Sequence, residues 1–155
     1  MEHRINQSYE VIMLQDLRAL TAAMQAARTI AVLGAKDKPG APVDRVGRYL
    51  IDAGYTVIPV HPKRKDVWGL PTYATLADIT QSIDIVNLFR APQYCPEHAR
   101  EVLALAQPPR CFWMQSGIAN AEARTLLEPT GMLVVEDRCL MVDHQQLLAN
   151  AGAAA

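Results

Sequence analysis

The segment Thr29–Gly34, which reads TIAVLG, decides the fold class. It is a short run of β-branched and apolar residues without alternation between apolar and polar positions, which is typical of a strand covered on both faces. The same kind of run returns in Tyr55–Val60, Ile83–Phe89, Arg110–Gln115 and Met132–Asp137. We therefore expect five buried strands.

Helical patterns separate these strands. Helices are predicted over Val43–Ala53, Cys95–Ala106 and Asn120–Leu127, whereas Thr75–Thr80 is long enough for only a turn or so. Strands that alternate with helices predict right-handed βαβ crossovers and thus a doubly wound, Rossmann-like α/β fold with a parallel sheet. We expect the strand order 3-2-1-4-5, with ligand-binding loops beyond the carboxyl ends of the strands.

An extra helix precedes the first strand. Apolar residues recur at three- and four-residue steps between Val11 and Ala27, and Ser8 is a candidate N-cap. We expect this helix to pack either on the sheet or on a second copy of the chain. The second alternative corresponds to a homodimer. Its apolar stripe consists of Met13, Leu17, Leu20 and Met24.

Composition limits the classes of function. The chain has 155 residues, of which 50% are apolar and 20% charged, and a formal net charge of −1. This balance is typical of one soluble globular domain and disfavours nucleic-acid binding through a broad basic surface. No apolar stretch reaches the roughly 20 residues of a membrane span. We expect an N-terminal helix at 1–28, a Rossmann-like domain at 29–150, a disordered tail at 151–155, and a small-molecule partner.

The cysteines indicate the compartment. Cys95, Cys111 and Cys139 are odd in number and far apart, and the N-terminus lacks the basic-then-apolar order of a signal peptide. These features predict a cytoplasmic protein with free thiols. No metal site is predicted, because C-x-x-C and H-x₃-H spacings are missing.

The turn after the second predicted strand suggests a ligand. His61 stands where a dinucleotide-binding protein usually has an acid, and Lys63, Arg64 and Lys65 follow it. A carboxylate suits a free ribose diol, whereas cations suit a ribose that carries phosphate. The candidates are therefore NADP, with a 2′-phosphate, and coenzyme A (CoA), with a 3′-phosphate, beside the alternative of a solvated basic turn.

The other strand ends point to the same edge of the sheet. Gly34 opens a turn toward a helix but lacks G-x-G-x-x-G spacing, and Gly47 should let that helix pack closely on the sheet. Phe89–Pro92 could present backbone to a ligand. Gln115–Gly117 precedes a capped helix, so its backbone amides should be free.

Cys139 and His144 form the most suggestive catalytic pair, since a thiolate and an imidazole that meet would activate a nucleophile. Free cysteines are usually buried and inert, and Cys139 opens an apolar run. We therefore expect Cys139 to be a structural thiol or a weak redox handle, and we assign no catalytic residue. Asp137 and Arg138, just before it, could form an ion pair or contact a pyrophosphate.

Ordered motifs resemble a known family. GYTVIPVHPK, IDIVNLFRAP, FWMQSGI and VVEDRC, found in this order between about Thr29 and His144, resemble the small stand-alone CoA-binding proteins. Their domain is similar to the CoA-binding Rossmann domain of the succinyl-CoA synthetase α subunit. The resemblance implies CoA binding without the ligase activity, because the chain is too short for a nucleotide-grasp domain.

The resemblance also implies a pocket built from the strand-end loops. One loop departs from the usual pattern, because Lys36, Val43 and Asp44 replace the common Ser, Ser and aromatic residue. The carboxylate of Asp44 would repel a phosphate of the ligand. The implied cofactor-binding residues are Gly34, Ala35, Lys36, Lys38, Pro39, Val46, His61, Pro62, Lys63, Phe89, Arg90, Ala91, Pro92, Gln115, Ser116, Gly117 and Ile118.

Three functions stay open. The favoured one is a non-catalytic module that binds, senses or carries CoA or an acyl-CoA. The alternative is an NADP-dependent oxidoreductase that uses the same crevice, although the chain lacks the Tyr-x-x-x-Lys spacing of a proton relay. The third is a scaffold whose crevice is vestigial and whose first helix binds a partner.

Overall fold

A five-stranded, fully parallel sheet forms the centre of the molecule. The computed structural model describes residues 16–149, so the predicted N-cap Ser8 and the predicted disordered tail lie outside the described residues. The predicted α/β class is confirmed, and each predicted strand is present with shorter ends. The strands are β1 Thr29–Leu33, β2 Thr56–Val60, β3 Ile85–Leu88, β4 Cys111–Met114 and β5 Leu133–Val135.

The strand order is β2-β1-β3-β4-β5, so the predicted order 3-2-1-4-5 is wrong. β1 pairs with β2 through Thr29 and Thr56, and on its other side it pairs with β3 through Ile30 and Ile85. The connection from β2 to β3 therefore crosses over β1. It contains short 3₁₀ turns in place of an α-helix. The order of strands reverses between β1 and β3, so the loops after these two strands border the crevice.

Helices cover both faces of the sheet. One face carries α1 (16–26), α2 (Pro42–Asp52) and α5 (Leu140–His144), and the other carries α3 (Cys95–Ala104) and α4 (Ala121–Leu127). On the second face the connection between β2 and β3 fills the space beside α3. Two apolar clusters therefore lie on either side of the strands.

The apolar stripe of α1 packs on the sheet. Leu20 and Met24 are buried in the same cluster as Ile30 of β1. Met13, the first residue of the predicted stripe, lies outside the described residues. The described part of α1 therefore packs on the sheet. Packing of this helix against a second copy of the chain stays a prediction.

The short helix α5 was not predicted from the sequence. Its first turn is tied to the sheet because the Gln115 Oε1 accepts a hydrogen bond from the Leu140 N–H at 2.9 Å. Its last turn is tied to α2 by a hydrogen bond of 2.7 Å between the Tyr49 hydroxyl and the His144 Nδ1. These two bonds fix α5 beside the ends of β4 and β5.

A strained tryptophan holds the first half of α2. A Cβ on Gly47 would lie 2.2 Å from the Trp68 ring, so the predicted close approach is made to this indole and not to a strand. The Trp68 Nε1 donates to the Asp44 Oδ1 at 2.9 Å, and the Arg48 Nε donates to the same oxygen at 3.0 Å. Trp68 and Asp66 have φ values of 55° and 54°, each of which costs about 1–3 kcal/mol. The contacts of the indole offset this strain.

Candidate functional site

A crevice of about 380 Å³ lies at the carboxyl ends of β1, β2 and β3, where the strand order reverses. Its volume is in the range of small-molecule sites, which run from about 300 to 1,000 Å³. All of its lining residues except Pro42 and Val43 were predicted site residues. The crevice is lined by Gly34, Lys36, Pro42, Val43, His61, Phe89, Arg90, Ala91 and Ile118.

Gly34 is where the loops after β1 and β3 touch. Its φ is +79°, and a Cβ there would lie 2.3 Å from the Phe89 carbonyl oxygen, so both the turn and the contact require glycine. The N–H groups of Gly34 and Ala35 donate to the Val60 carbonyl at 3.0 and 3.2 Å. Ala35 is also fully buried. Backbone amides expected near a pyrophosphate are therefore already paired within the protein.

His61 is held as a neutral donor at the wall of the crevice. Its Nδ1 accepts the backbone N–H groups of Lys63 and Arg64, both at 3.0 Å. Because Nδ1 needs its lone pair for these bonds, the proton resides on Nε2. Burial lowers the pKa of His61, and Arg64, Arg90, Lys36 and Lys63 lower it further. Lys36 and Arg90 line the same crevice as this imidazole, and Lys63 and Arg64 are bonded to it through their backbone.

The electrostatics of the crevice favour an anion. The charge of Asp44 is offset within the protein, because its buried carboxylate accepts hydrogen bonds from the Arg48 guanidinium on α2 and from the Trp68 indole. Arg64 has one acidic neighbour, Asp37, at 3.6 Å, and both side chains are 42% exposed, so this pair contributes little. Pro42 at the start of α2 lines the crevice, and the partial positive charge of the helix start adds to the cations.

Arg90 stands between this crevice and a second cavity. Its guanidinium lies 4.4 Å from the centre of the Tyr94 ring, and its Nε donates a long hydrogen bond of 3.4 Å to the His98 Nε2. The His98 Nδ1 therefore carries the proton and donates to the Glu101 Oε1 at 2.9 Å. Burial lowers the pKa of His98, Arg90 adds to this effect, and Glu101 opposes it. Arg90 is thus held in one orientation.

The second cavity, which we call the side cavity, has a volume of about 150 Å³. It shares Gly34 and Arg90 with the crevice and lies between α3 and the connection that follows β2. Sequence reasoning missed its α3 wall, although Glu97 and Glu101 are four residues apart and so share a helix face. The side cavity is lined by Leu33, Gly34, Val60, Pro62, Ala74, Thr75, Arg90, Glu97, His98 and Glu101.

The loop after β4 differs from expectation. The Gly117 N–H donates to the Asp137 Oδ1 at 2.6 Å, so the predicted free amide is not available. The buried side chain of Gln115 points to α5 instead of the crevice. The predicted pair between Asp137 and Arg138 is also wrong, since Arg138 pairs with the buried Asp143 through bonds of 2.7 and 2.8 Å.

A model of the family described as CoA binding domain matches residues 28–145. The chain belongs to this family. The Bacillus subtilis protein YneT is 37% identical over 121 residues, which cover 78% of this chain and 88% of YneT. A Thermus thermophilus structure, cell-free ID.343, is 43% identical with a TM-score of 0.76 and covers 86% of this chain and 98% of that one. A hypothetical protein from Pyrococcus horikoshii OT3 is 31% identical with a TM-score of 0.78, covering 86% and 91%.

Other predicted residues of this CoA-binding family member lie outside the two cavities. Val46 packs in the apolar cluster between α2 and the sheet and is 2% exposed. Exposed residues border the crevice loops, and their part in binding stays a prediction. These residues are Lys38, Pro39, Lys63, Pro92 and Ser116.

His144, one member of the candidate pair with Cys139, is built into a structural contact with two tyrosines. The His144 ring lies edge-on to Tyr49 and Tyr55, with ring centres 5.4 and 5.6 Å away, and its Nδ1 is used by Tyr49. Burial lowers the pKa of His144. Cys139 is only partly buried, in contrast to the expected burial. The imidazole thus joins α2 to α5.

A larger cavity of about 540 Å³ lies at the opposite edge of the sheet, between α1 and the first residues of β3, β4 and β5. Alanines of α1 form much of its wall, and Arg110 is its one cationic lining residue. Within residues 16–149 no cluster of His, Cys, Asp and Glu side chains is arranged to hold a metal ion. No helix in the same part of the chain is long and apolar enough to cross a bilayer.

Proposed function

We propose that the chain binds CoA or an acyl-CoA in the crevice and acts as a non-catalytic module that senses, carries or delivers it in the cytoplasm. The observation that carries the proposal is that Lys36 and Arg90 line one crevice with His61, whose ring accepts the backbone N–H groups of Lys63 and Arg64. Membership in the CoA binding domain family supports the same ligand.

The charges agree with the chemistry of CoA. Its pyrophosphate and its ribose 3′-phosphate carry several negative charges, and charge-assisted hydrogen bonds from lysine and arginine suit such groups. Lys36 and Arg90 line the crevice and would hold the pyrophosphate. Lys63 and Arg64 lie in the turn after β2 and would hold the ribose phosphate. The His61 Nε2–H would donate to a phosphate oxygen.

The remainder of the crevice is suited to the uncharged arm of CoA. Phe89, Ala91 and Ile118 form an apolar wall that extends from the β3 loop toward the loop after β4. An extended pantetheine chain has apolar segments that such a wall would bury. The buried Cys95 and Cys111 and the partly buried Cys139 serve packing in this proposal, and none of them is assigned catalysis.

The proposal is tested by titration calorimetry with CoA, dephospho-CoA and NADP. We expect CoA to bind more tightly than dephospho-CoA. Lys63→Ala should weaken CoA about tenfold to a hundredfold, the equivalent of one lost charge-assisted contact of about 1.5–3 kcal/mol, and should leave dephospho-CoA nearly unchanged. Lys65→Ala removes the same charge from the same exposed turn, but Lys65 follows the two residues whose backbone N–H groups bond to the His61 ring. This control should keep its affinity for CoA.

The other outcomes are equally informative. An equal loss of both CoA forms in Lys63→Ala would show that this lysine does not read the 3′-phosphate. Tight binding of NADP without binding of CoA would establish the oxidoreductase alternative in its place. Intact-mass analysis of the purified protein under native conditions would identify a co-purifying ligand directly by its mass.

A further inference from the structure

We infer that His98 and Glu101 on α3 are positioning residues for anion binding, which hold the Arg90 guanidinium in place for a phosphate without neutralising its charge. This inference rests on the proposed function, because the anion that Arg90 would meet in the crevice is the pyrophosphate of CoA. It gives a part in binding to two residues that lie outside the lining of the crevice.

Three contacts fix the Arg90 side chain. Its stem passes over Gly34, because a Cβ built on that glycine would lie 3.3 Å from the Arg90 Cδ. The Tyr94 ring lies against the guanidinium, and the Nε donates to the His98 Nε2. These contacts come from the loop after β1, the turn before α3, and α3 itself. A long side chain is thereby ordered before a ligand arrives, which removes part of the entropy cost of binding.

The acceptor that holds the Arg90 Nε is neutral. A carboxylate in the place of the His98 ring would form an ion pair with the guanidinium and would compete with a phosphate for it. An imidazole that accepts the Nε–H leaves the full positive charge to the ligand. Among residues 16–149, Arg90 makes no ion pair. The edge formed by Nη1 and Nη2 therefore remains for a bidentate contact with phosphate oxygens.

Glu101 fixes the tautomer that makes His98 an acceptor. It lies three residues further along α3, and its Oε1 accepts from the His98 Nδ1 at 2.9 Å. The ring proton is thus held on Nδ1, and the lone pair of Nε2 faces Arg90. The His98 side chain is only 14% exposed, so water does not readily replace these bonds. Without Glu101 the ring could take the other tautomer, in which two N–H donors would face each other.

The test compares variants that differ in the ability to accept a hydrogen bond. The side chain of His98→Gln has a carbonyl oxygen that can accept the Arg90 Nε–H, whereas that of His98→Leu has none. We expect His98→Leu to bind CoA about three- to tenfold more weakly than His98→Gln, because the ligand then has to order Arg90 itself. Dephospho-CoA should lose the same factor, since it retains the pyrophosphate. Titration calorimetry measures both affinities.

Glu101→Leu and Glu101→Gln form a second pair, which keeps the test decisive if a substitution of His98 unfolds the chain. Both remove the same negative charge, but only the glutamine can still accept from Nδ1 and hold the tautomer. Glu101→Leu should therefore bind CoA at least about twofold more weakly than Glu101→Gln. The matched control is His144→Leu, which removes another partly buried histidine, bonded to Tyr49, and should leave the affinity for CoA unchanged.

An Arg90→Ala background shows whether His98 acts through this arginine. Arg90→Ala alone should weaken CoA and dephospho-CoA about tenfold to a hundredfold, the effect of one lost charge-assisted contact. In that background His98→Leu and His98→Gln should bind CoA equally, because there is no guanidinium left to position. A merely structural role of His98 would give the same difference in both backgrounds.

Each result decides the inference. Equal affinity for CoA within either pair of folded variants would overturn the positioning role and leave the proposed function standing. A difference between the His98 variants that persists without Arg90 would also overturn it. Failure of the wild-type protein to bind CoA and dephospho-CoA would refute the proposed function and the inference together.

Discussion

Replacing Gly47 by alanine should destabilise the protein, although alanine is the better helix former by about 1 kcal/mol. The new Cβ would lie 2.2, 2.3 and 2.8 Å from three carbons of the Trp68 ring, distances at which the ring has to move. Moving it breaks the bond of 2.9 Å to the Asp44 carboxylate and exposes part of the indole. Trp68 cannot turn away freely, because its backbone is held in the left-handed region.

The size of the effect follows from these contacts. A hydrogen bond to a charged group contributes about 1.5–3 kcal/mol, and roughly 100 Å² of re-exposed indole costs about 2.5 kcal/mol. Gains in helix propensity and released backbone strain oppose these losses. We expect a net loss of about 2–3 kcal/mol, and a melting temperature lower by about 5–10 °C for a chain of this size.

The decisive comparison is a double-mutant cycle followed by urea unfolding. In a Trp68→Ala background the space in front of residue 47 is open, so Gly47→Ala should become stabilising by up to about 1 kcal/mol. Trp113, the other tryptophan, is fully buried, so a red shift of emission in Gly47→Ala would report displacement of Trp68. Equal destabilisation by Gly47→Ala in both backgrounds would refute the reasoning.

Two further predictions concern titration and thiol access. His61, His98 and His144 all have a pKa below the ordinary value near 6.5, so the unfolded chain takes up protons that the folded one does not. The free energy of unfolding should therefore fall as pH drops from about 7 through 6.5 toward the lowered values, and His144→Gln should flatten the dependence of melting temperature on pH. A pH-independent melting temperature would contradict this. Cys139 should react with Ellman's reagent before unfolding, whereas the other two cysteines are fully buried and should react only after it. A Cys139→Ala variant that keeps a fast-reacting thiol would show that another cysteine opens.

The sequence was sufficient for the strands but not for their order. Apolar runs report burial on both faces, and this property is shared by β1, β3 and β4, so it does not distinguish their neighbours. One signal for the order was present in Pro59. The His61 N–H donates to the Tyr73 carbonyl, on the side of β2 away from β1. Backbone groups of residues two apart in a strand point to the same side, so Pro59 faces this outer side too. Proline has no N–H to donate to a neighbouring strand there. This proline favours an edge position for β2, which the order 3-2-1-4-5 denies.

The crevice was also predictable only in part. The sequence predicted the crevice residues that directly follow strands, because the carboxyl edge of a parallel sheet is a general ligand site. The α3 wall was missed because Glu97 and Glu101 read as an ordinary exposed helix face. The pairing of Gly117 with Asp137 depends on contact between the β4 and β5 loops, which have no common pattern in the sequence.

The paired backbone amides of Gly34, Ala35 and Gly117 have a consequence for behaviour in solution. An anion in this crevice is attracted mainly by long side chains such as Lys63 and Arg64, which are exposed to solvent. Mobile ions screen such attraction over about 8 Å at physiological ionic strength. Affinity should therefore depend steeply on salt, and unrelated polyanions should compete in dilute buffer.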